Sequence, residues 1–122
     1  MIRGVGVDLI GIARVESMME NSRFLERFFT SEERAYVCGR GAAGAQSAAG
    51  IYAAKEAMLK ALGTGIAPIG LPEVGVTHAA SGAPEASLGP KASARLRELG
   101  AERVLLSITH AEGMAVAVAI IE

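Results

Sequence analysis

Along residues 4–10 the chain alternates, with Val5, Val7 and Leu9 on one side of an extended segment and Gly4, Gly6 and Asp8 on the other. The period predicts a strand that carries one carboxylate among glycines. From 13 to 28 the apolar spacing becomes helical, broken near Asn21 and Ser22, with Met18, Phe24, Leu25 and Phe28 as its contacts. Thr30 followed by Glu33 is a capping-box signature, and it opens a short helix towards Cys38. Residues 39–44, GRGAAG, are too small and glycine-rich to pack and predict a flexible loop. Ser47 is then the expected N-cap of a long helix. That helix ends near Leu62, because Gly63 and Gly65 in GTG tolerate the left-handed backbone of a C-terminal cap.

Beyond a loop containing Pro68 and Pro72, residues 73–78 alternate as a strand, and Ser81 to Pro84 turn the chain into a second one over 85–88. Pro90 begins a helix over 90–99 that Gly100 stops. Residues 103–110 and 114–121 are two strands joined around Glu112 and Gly113. In the last strand Val116, Val118 and Ile120 alternate with Ala115, Ala117 and Ala119, so its alanine face admits a helix laid closely across it. The pattern predicts an α+β fold, with helices on one face of a largely antiparallel sheet. At 122 residues, the whole chain 1–122 is expected to be a single domain.

Composition adds a constraint: the chain is 51% apolar but only 4% aromatic, with 15 glycines. Small side chains bury little area each, so a monomeric core is thin and association between copies would reinforce it. The net charge of −1, from 12 basic and 13 acidic residues, provides no global positive field, and no nucleic-acid partner is expected. A single cysteine, Cys38, excludes an intramolecular disulfide and reads as a small buried hydrophobe. With no apolar run of membrane-spanning length and no signal-like N-terminus, no membrane partner and a cytoplasmic location are expected.

Candidate chemistry centres on IYAAKEAMLKALGTGI, which starts at Ile51. Glu56 and Lys60 lie one turn apart outside the apolar arc of this helix, whereas Lys55 falls inside it. One reading is a solvated ion pair, with the Lys55 stem snorkelling to water. The other is that a largely buried helix gives its charges buried partners, an ion or a charged ligand. Asp8 has the same two readings: a strand-end residue capping a turn, or an acid converging with Glu56. Two converging carboxylates suit Mg2+, which is held by one or two such groups plus water and substrate phosphates, with Lys55 and Lys60 turned to those phosphates. His110, in SITH, and His78 read as polar residues at strand ends. The phosphate-binding motifs G-x-G-x-x-G and G-x-x-x-x-G-K-[ST] are absent.

Taken together, GVGVDLIGIARVE, FLERFFTSEERAYV, AAKEAMLKALGTGI, SGAP and SITH resemble the bacterial holo-[acyl-carrier-protein] synthases, the small 4'-phosphopantetheinyl transferases. The resemblance spans nearly the whole chain. It implies the 4'-phosphopantetheinyl transferase fold, and transfer of the phosphopantetheine arm of coenzyme A to a serine of apo-acyl carrier protein, with release of adenosine 3',5'-bisphosphate, in fatty acid biosynthesis. It also implies Mg2+ and a homotrimer with coenzyme A between subunits. By position, Asp8 and Glu56 match the metal-binding acids, and these with Lys60 make up the implied catalytic set. Lys55, Lys60, Gly63, Gly65, Pro84 and His110 match coenzyme A-binding positions. Arg14, Arg23 and Arg27 are the implied docking residues for the acidic carrier protein.

The chain departs from the pattern of that family in places. Ile51 stands where many members have Arg, with Arg40 as a candidate replacement; Thr109, Ala111 and Gly11 stand where Ser, Thr and an acid are frequent. The base that takes the acceptor serine's proton stays open between Asp8, Glu56 and a water on the metal. Two other readings remain at this stage, a different Mg2+-dependent phosphate enzyme and a non-catalytic oligomer that binds coenzyme A or a carrier protein.

Overall fold

The computed structural model describes residues 1–65 and 69–122, so the loop expectation at Pro68 lies outside the described residues. Strand β1 (Gly4–Gly11) leads into helices α1 (Ile12–Met19), α2 (Phe24–Phe28) and α3 (Ser31–Gly39). The long helix α4 (Gly44–Leu62) follows, then the hairpin β2 (Val74–His78) and β3 (Pro84–Leu88), helix α5 (Pro90–Glu98), and strands β4 (Val104–Ala111) and β5 (Met114–Ile121). The sheets are antiparallel, one of three strands in the order β1-β5-β4 and one formed by β2 and β3. The expected α+β architecture with a central helix is present. No described helix is long and apolar enough to cross a membrane.

Helix α4 is the axis of the core, and small residues set how closely the main sheet approaches it. Ala115, Ala117, Ala119 and Gly6 face it and are buried, as the alanine alternation of β5 predicts. A side chain at Gly6 would overlap the Ala57 carbonyl oxygen and stand 2.8 Å from the Ala61 nitrogen, both main-chain atoms. The glycine and alanine face therefore lies on α4 at main-chain contact distance.

The apolar side of the same strands points the other way. The register sets Val5, Ile120 and Leu105 in one row, Val7, Val118 and Ser107 in the next, and Leu9, Val116 and Thr109 in the third. Val5, Val7 and Leu9 are 60%, 54% and 59% exposed in the single chain, although valine and leucine normally seek burial.

Local signals mostly hold. The Thr30–Glu33 capping box is formed in both directions, the break in the first helical stretch falls between α1 and α2, and Gly63 caps α4 in the left-handed region at φ 74°. Three expectations are corrected. Residues 39–44 are not a flexible loop: Gly41–Ala43 form a 3-10 turn that runs into α4, and Gly44 is buried in the first turn of that helix. Ser47 is consequently inside α4 and the N-cap is Ala43, because the preceding turn delivers the chain already helical. Cys38 is exposed, on the outer side of α3.

Candidate active site

Asp8 follows Gly6 on the face of β1 turned to α4, so the close approach at Gly6 carries its carboxylate to the rim of that helix. Lys60, one turn from the C-terminus of α4, donates to Asp8 Oδ1 at 3.1 Å and to the Val7 carbonyl at 3.0 Å. The ion pair thus joins Lys60 to Asp8, correcting the reading of Glu56 and Lys60 as a solvated pair. The Asp8 side chain is 17% exposed and that of Lys60 52%, so the pair is open to solvent on the lysine side. Glu56 makes no salt bridge within 4.0 Å among the described residues.

Burial pushes the Glu56 carboxyl above its usual range and the charge of Asp8 pushes it further, while the Tyr52 hydroxyl and Lys60 pull it back. The Tyr52 hydroxyl is itself raised by burial and then by Glu56, with Arg14 acting in the opposite sense. Asp8, Glu56, Tyr52, Lys60 and Arg14 therefore feel one another's charges. The charges of Asp8 and Glu56 oppose each other here, with half-exposed Lys60 and exposed Arg14 as the cations acting on the group, an arrangement that a small cation would relieve. Among the described residues no cluster of three metal-binding side chains occurs. A pair of carboxylates leaves most of a coordination shell to water and ligand oxygens, the donor set that suits Mg2+.

A cavity of about 510 Å³ opens on a different side of α4, lined by Gln46, Ser47, Gly50 and Ile51 of that helix together with Pro84 and His110. The His110 Nε2 lies 3.0 Å from the Gln46 carbonyl oxygen; a carbonyl only accepts, so Nε2 carries the proton and Nδ1 is left for another partner. Gly50 makes this possible, since a Cβ there would stand 2.9 Å from Nε2. The opposite wall is a stack of Tyr36 on His78, with ring centres 3.9 Å apart and planes 7° from parallel, and the Arg40 guanidinium 5.7 Å from the Tyr36 ring. Burial first and Arg40 second lower the His78 pKa, with Glu33 acting in the opposite sense, so the uncharged ring is favoured. Ile51 and Arg40 border the same cavity, so a cation is present beside the apolar position.

Lys55 bears out the reading that gives it a buried partner and corrects the one in which its stem snorkels to water. Its side chain is fully buried, neither snorkelling nor open to a ligand: Nζ donates to Glu33 Oε1 at 2.6 Å and to the Val74 carbonyl at 3.2 Å. Burial lowers its pKa and Glu33 raises it. Glu33 is equally enclosed, accepting from Thr30 N at 2.8 Å and from Val76 N at 2.6 Å besides Lys55. Lys55 therefore does not reach a coenzyme A phosphate, contrary to the expectation from the resemblance, because its three-donor ammonium is turned into the core.

The sequence profile of the 4'-phosphopantetheinyl transferase superfamily matches residues 4–119 of the chain. The chain belongs to that superfamily. It is 42% identical over 122 residues to the holo-[acyl-carrier-protein] synthase of Treponema denticola, covering 100% of this chain and 99% of the relative. Its fold is similar to the crystal structure of the Neisseria meningitidis holo-[acyl-carrier-protein] synthase, with a TM-score of 0.90 at 34% identity over 100% of this chain and 99% of the other. It is likewise similar to the Bacillus anthracis synthase solved in complex with CoA (3',5'-ADP), with a TM-score of 0.83 at 33% identity over 99% of this chain and 96% of the other.

Within this phosphopantetheinyl transferase, the remaining sequence candidates fall at the end of α4 and at α1 and α2. Gly63 and Gly65 both take left-handed backbone, at φ 74° and 65°, just past α4. Thr64 between them borders a mostly apolar depression with Lys91 and Arg95 of α5. Arg95 Nε donates to the Leu62 carbonyl at 2.9 Å, which satisfies an orphan group at the end of α4. Arg23 and Arg27 rim a depression of about 300 Å³ floored by Met18, Phe24 and Phe28, and Arg14 is exposed on α1. Sequence reasoning passed over Glu33, Tyr36, Gly50 and Tyr52. Only Glu33 had a local signal, its place in the capping box.

Proposed function

We infer that this transferase is a holo-[acyl-carrier-protein] synthase, which moves the 4'-phosphopantetheine group of coenzyme A onto a serine of apo-acyl carrier protein in the cytoplasm and releases adenosine 3',5'-bisphosphate. The observation that carries the reading is the convergence of Asp8 and Glu56 beside Lys60, in a chain of this family. Asp8 and Glu56 would hold Mg2+. When bound, the ion supplies positive charge that polarises the phosphoryl group and offsets the charge of the departing bisphosphate.

Lys60, fixed by the Val7 carbonyl and Asp8 with half its side chain in solvent, presents its remaining donor capacity to a coenzyme A phosphate. The serine oxygen bonds to the phosphorus nearer the pantetheine, the bond from that phosphorus to the nucleotide phosphate breaks, and the hydroxyl proton passes to the carboxylate side of the site. Pro84, His110 and Arg40 would meet the nucleotide, and Gly63 and Gly65 would let the ligand approach main chain. Arg14, Arg23 and Arg27 form the basic, apolar-floored surface that suits an acidic carrier protein.

The working unit is a homotrimer on this reading. The acid pair and the 510 Å³ cavity look out from different sides of α4, so one nucleotide reaches both when two copies are apposed. The exposed rows of Val5, Val7 and Leu9 offer the apolar surface for that contact.

Intact mass spectrometry of apo-acyl carrier protein, incubated with this protein, coenzyme A and Mg2+, tests the proposal. A gain of one phosphopantetheinyl group that a chelator abolishes supports it. No gain across several carrier proteins refutes it.

A further inference from the structure

The Glu33–Lys55 pair takes no part in the chemistry above, yet one carboxylate gathers donors from three elements. Thr30 N belongs to the start of α3, Lys55 Nζ to α4 and Val76 N to β2. From each element a cavity-lining residue follows at short range. Tyr36 lies three residues beyond Glu33 on the same face of α3, and His78 lies two beyond Val76 on the same face of β2. Ile51 sits one turn before Lys55 on α4. The stacked Tyr36–His78 wall therefore consists of two rings from separate elements, α3 and β2, that the buried Glu33 carboxylate ties together through Val76 N.

We propose that Glu33, with Lys55 as its counter-charge, is a positioning residue for the nucleotide end of coenzyme A: it sets α3 against β2 so that Tyr36 and His78 meet as a preformed flat wall of the cavity. This rests on the coenzyme A reading above. A preformed wall spares the ligand the ordering of two side chains on binding, whereas rings left to find each other must be ordered at its expense.

The chain has only two histidines, so the ring protons of His78 are resolved against His110 as internal reference by proton NMR. Stacking on Tyr36 shifts the His78 signals away from free-imidazole values. The double variant Glu33→Gln/Lys55→Met removes both buried charges together, a swap that buried pairs tolerate better than loss of one partner. In it the His78 signals, read at alkaline pH where loss of the Glu33 charge does not alter the ring's protonation, should return towards free values with those of His110 unmoved. Coenzyme A affinity by calorimetry should fall about three- to tenfold, the scale of one aromatic contact. Tyr36→Leu, at a half-buried position, removes the wall without touching the ion pair, should weaken coenzyme A to a similar degree, and remains informative if the double variant does not fold.

Parent-like coenzyme A affinity in Tyr36→Leu overturns the proposal, as does an unmoved His78 in a folded double variant. A parent protein that binds no coenzyme A refutes instead the functional reading on which it rests.

Discussion

Replacing Gly6 with alanine adds one methyl group at the point where β1 lies on α4. The new Cβ would overlap the Ala57 carbonyl oxygen and stand 2.8 Å from Ala61 N and 2.9 Å from Ala57 C, where ordinary contact begins near 3.4 Å. Every one of these atoms is main chain inside a 19-residue helix, so none can rotate away. Strand and helix must separate by at least about 0.6 Å to clear the nitrogen alone. Overpacking of this kind costs about 1–3 kcal/mol. In a domain of this size that lowers Tm by roughly 4 °C per kcal/mol. Asp8 rides on β1 and Glu56 and Lys60 on α4, so the same separation opens the candidate site, and a misplacement approaching 1 Å costs up to about 10²-fold in rate. Differential scanning calorimetry and the carrier-protein mass assay read the two effects on one sample. Gly39→Ala is the control, since nothing lies within 4 Å of a Cβ there. A Gly6→Ala protein as stable and as active as Gly39→Ala would refute the main-chain contact as the device that sets the site.

The other predictions concern charge. Glu56 has its carboxyl raised, so the folded chain holds that proton more tightly than the unfolded one; its share of stability is present at acid pH and lost as pH rises through the folded value. Without divalent cation, Glu56→Gln should melt above the parent near pH 7, with the gap closing towards about pH 4; a lower melting point at neutral pH contradicts a carboxyl raised by burial and by Asp8. Lys55→Met leaves Glu33 buried and unpaired and should cost about 3–5 kcal/mol in urea unfolding, most of it recovered by adding Glu33→Gln; equal losses in single and double variants would show that the charges are not coupled. Arg14→Glu should raise the KM for carrier protein and leave that for coenzyme A nearly unchanged, and equal changes in both would remove Arg14 from the docking surface.

Features governed by neighbours in sequence were legible: the capping box at Thr30 and Glu33, the glycine cap at Gly63, and the alanine face of β5. The start of α4 was not, because a turn of Gly and Ala without a side-chain cap is indistinguishable in composition from a loop. Long-range pairing was the harder limit. That Lys60 would choose Asp8, 52 residues away, over Glu56 one turn away depends on how closely Gly6 lets the strand approach. Lys55 was placed correctly within the apolar arc, but the carboxylate it meets lies 22 residues upstream and was accounted for by its own cap. The Tyr36–His78 stack joins two positions that no periodicity links.

The contacts of the buried ion pair also bear on how the molecule avoids aggregation through the open edge of β2. Val74 offers its carbonyl and Val76 its N–H on the side of β2 that faces away from β3, the spacing with which a strand greets a neighbouring strand. Lys55 and Glu33 supply the donor and acceptor that such a neighbour would bring. Two side chains thus close a sheet edge that would otherwise be a template for another chain, since β2 itself carries no proline to blunt it. Variants that lose both charges expose that edge whenever α3 lifts. Their failure in the cell would then come through aggregation in concentrated samples, while dilute unfolding measurements still reported a stable fold.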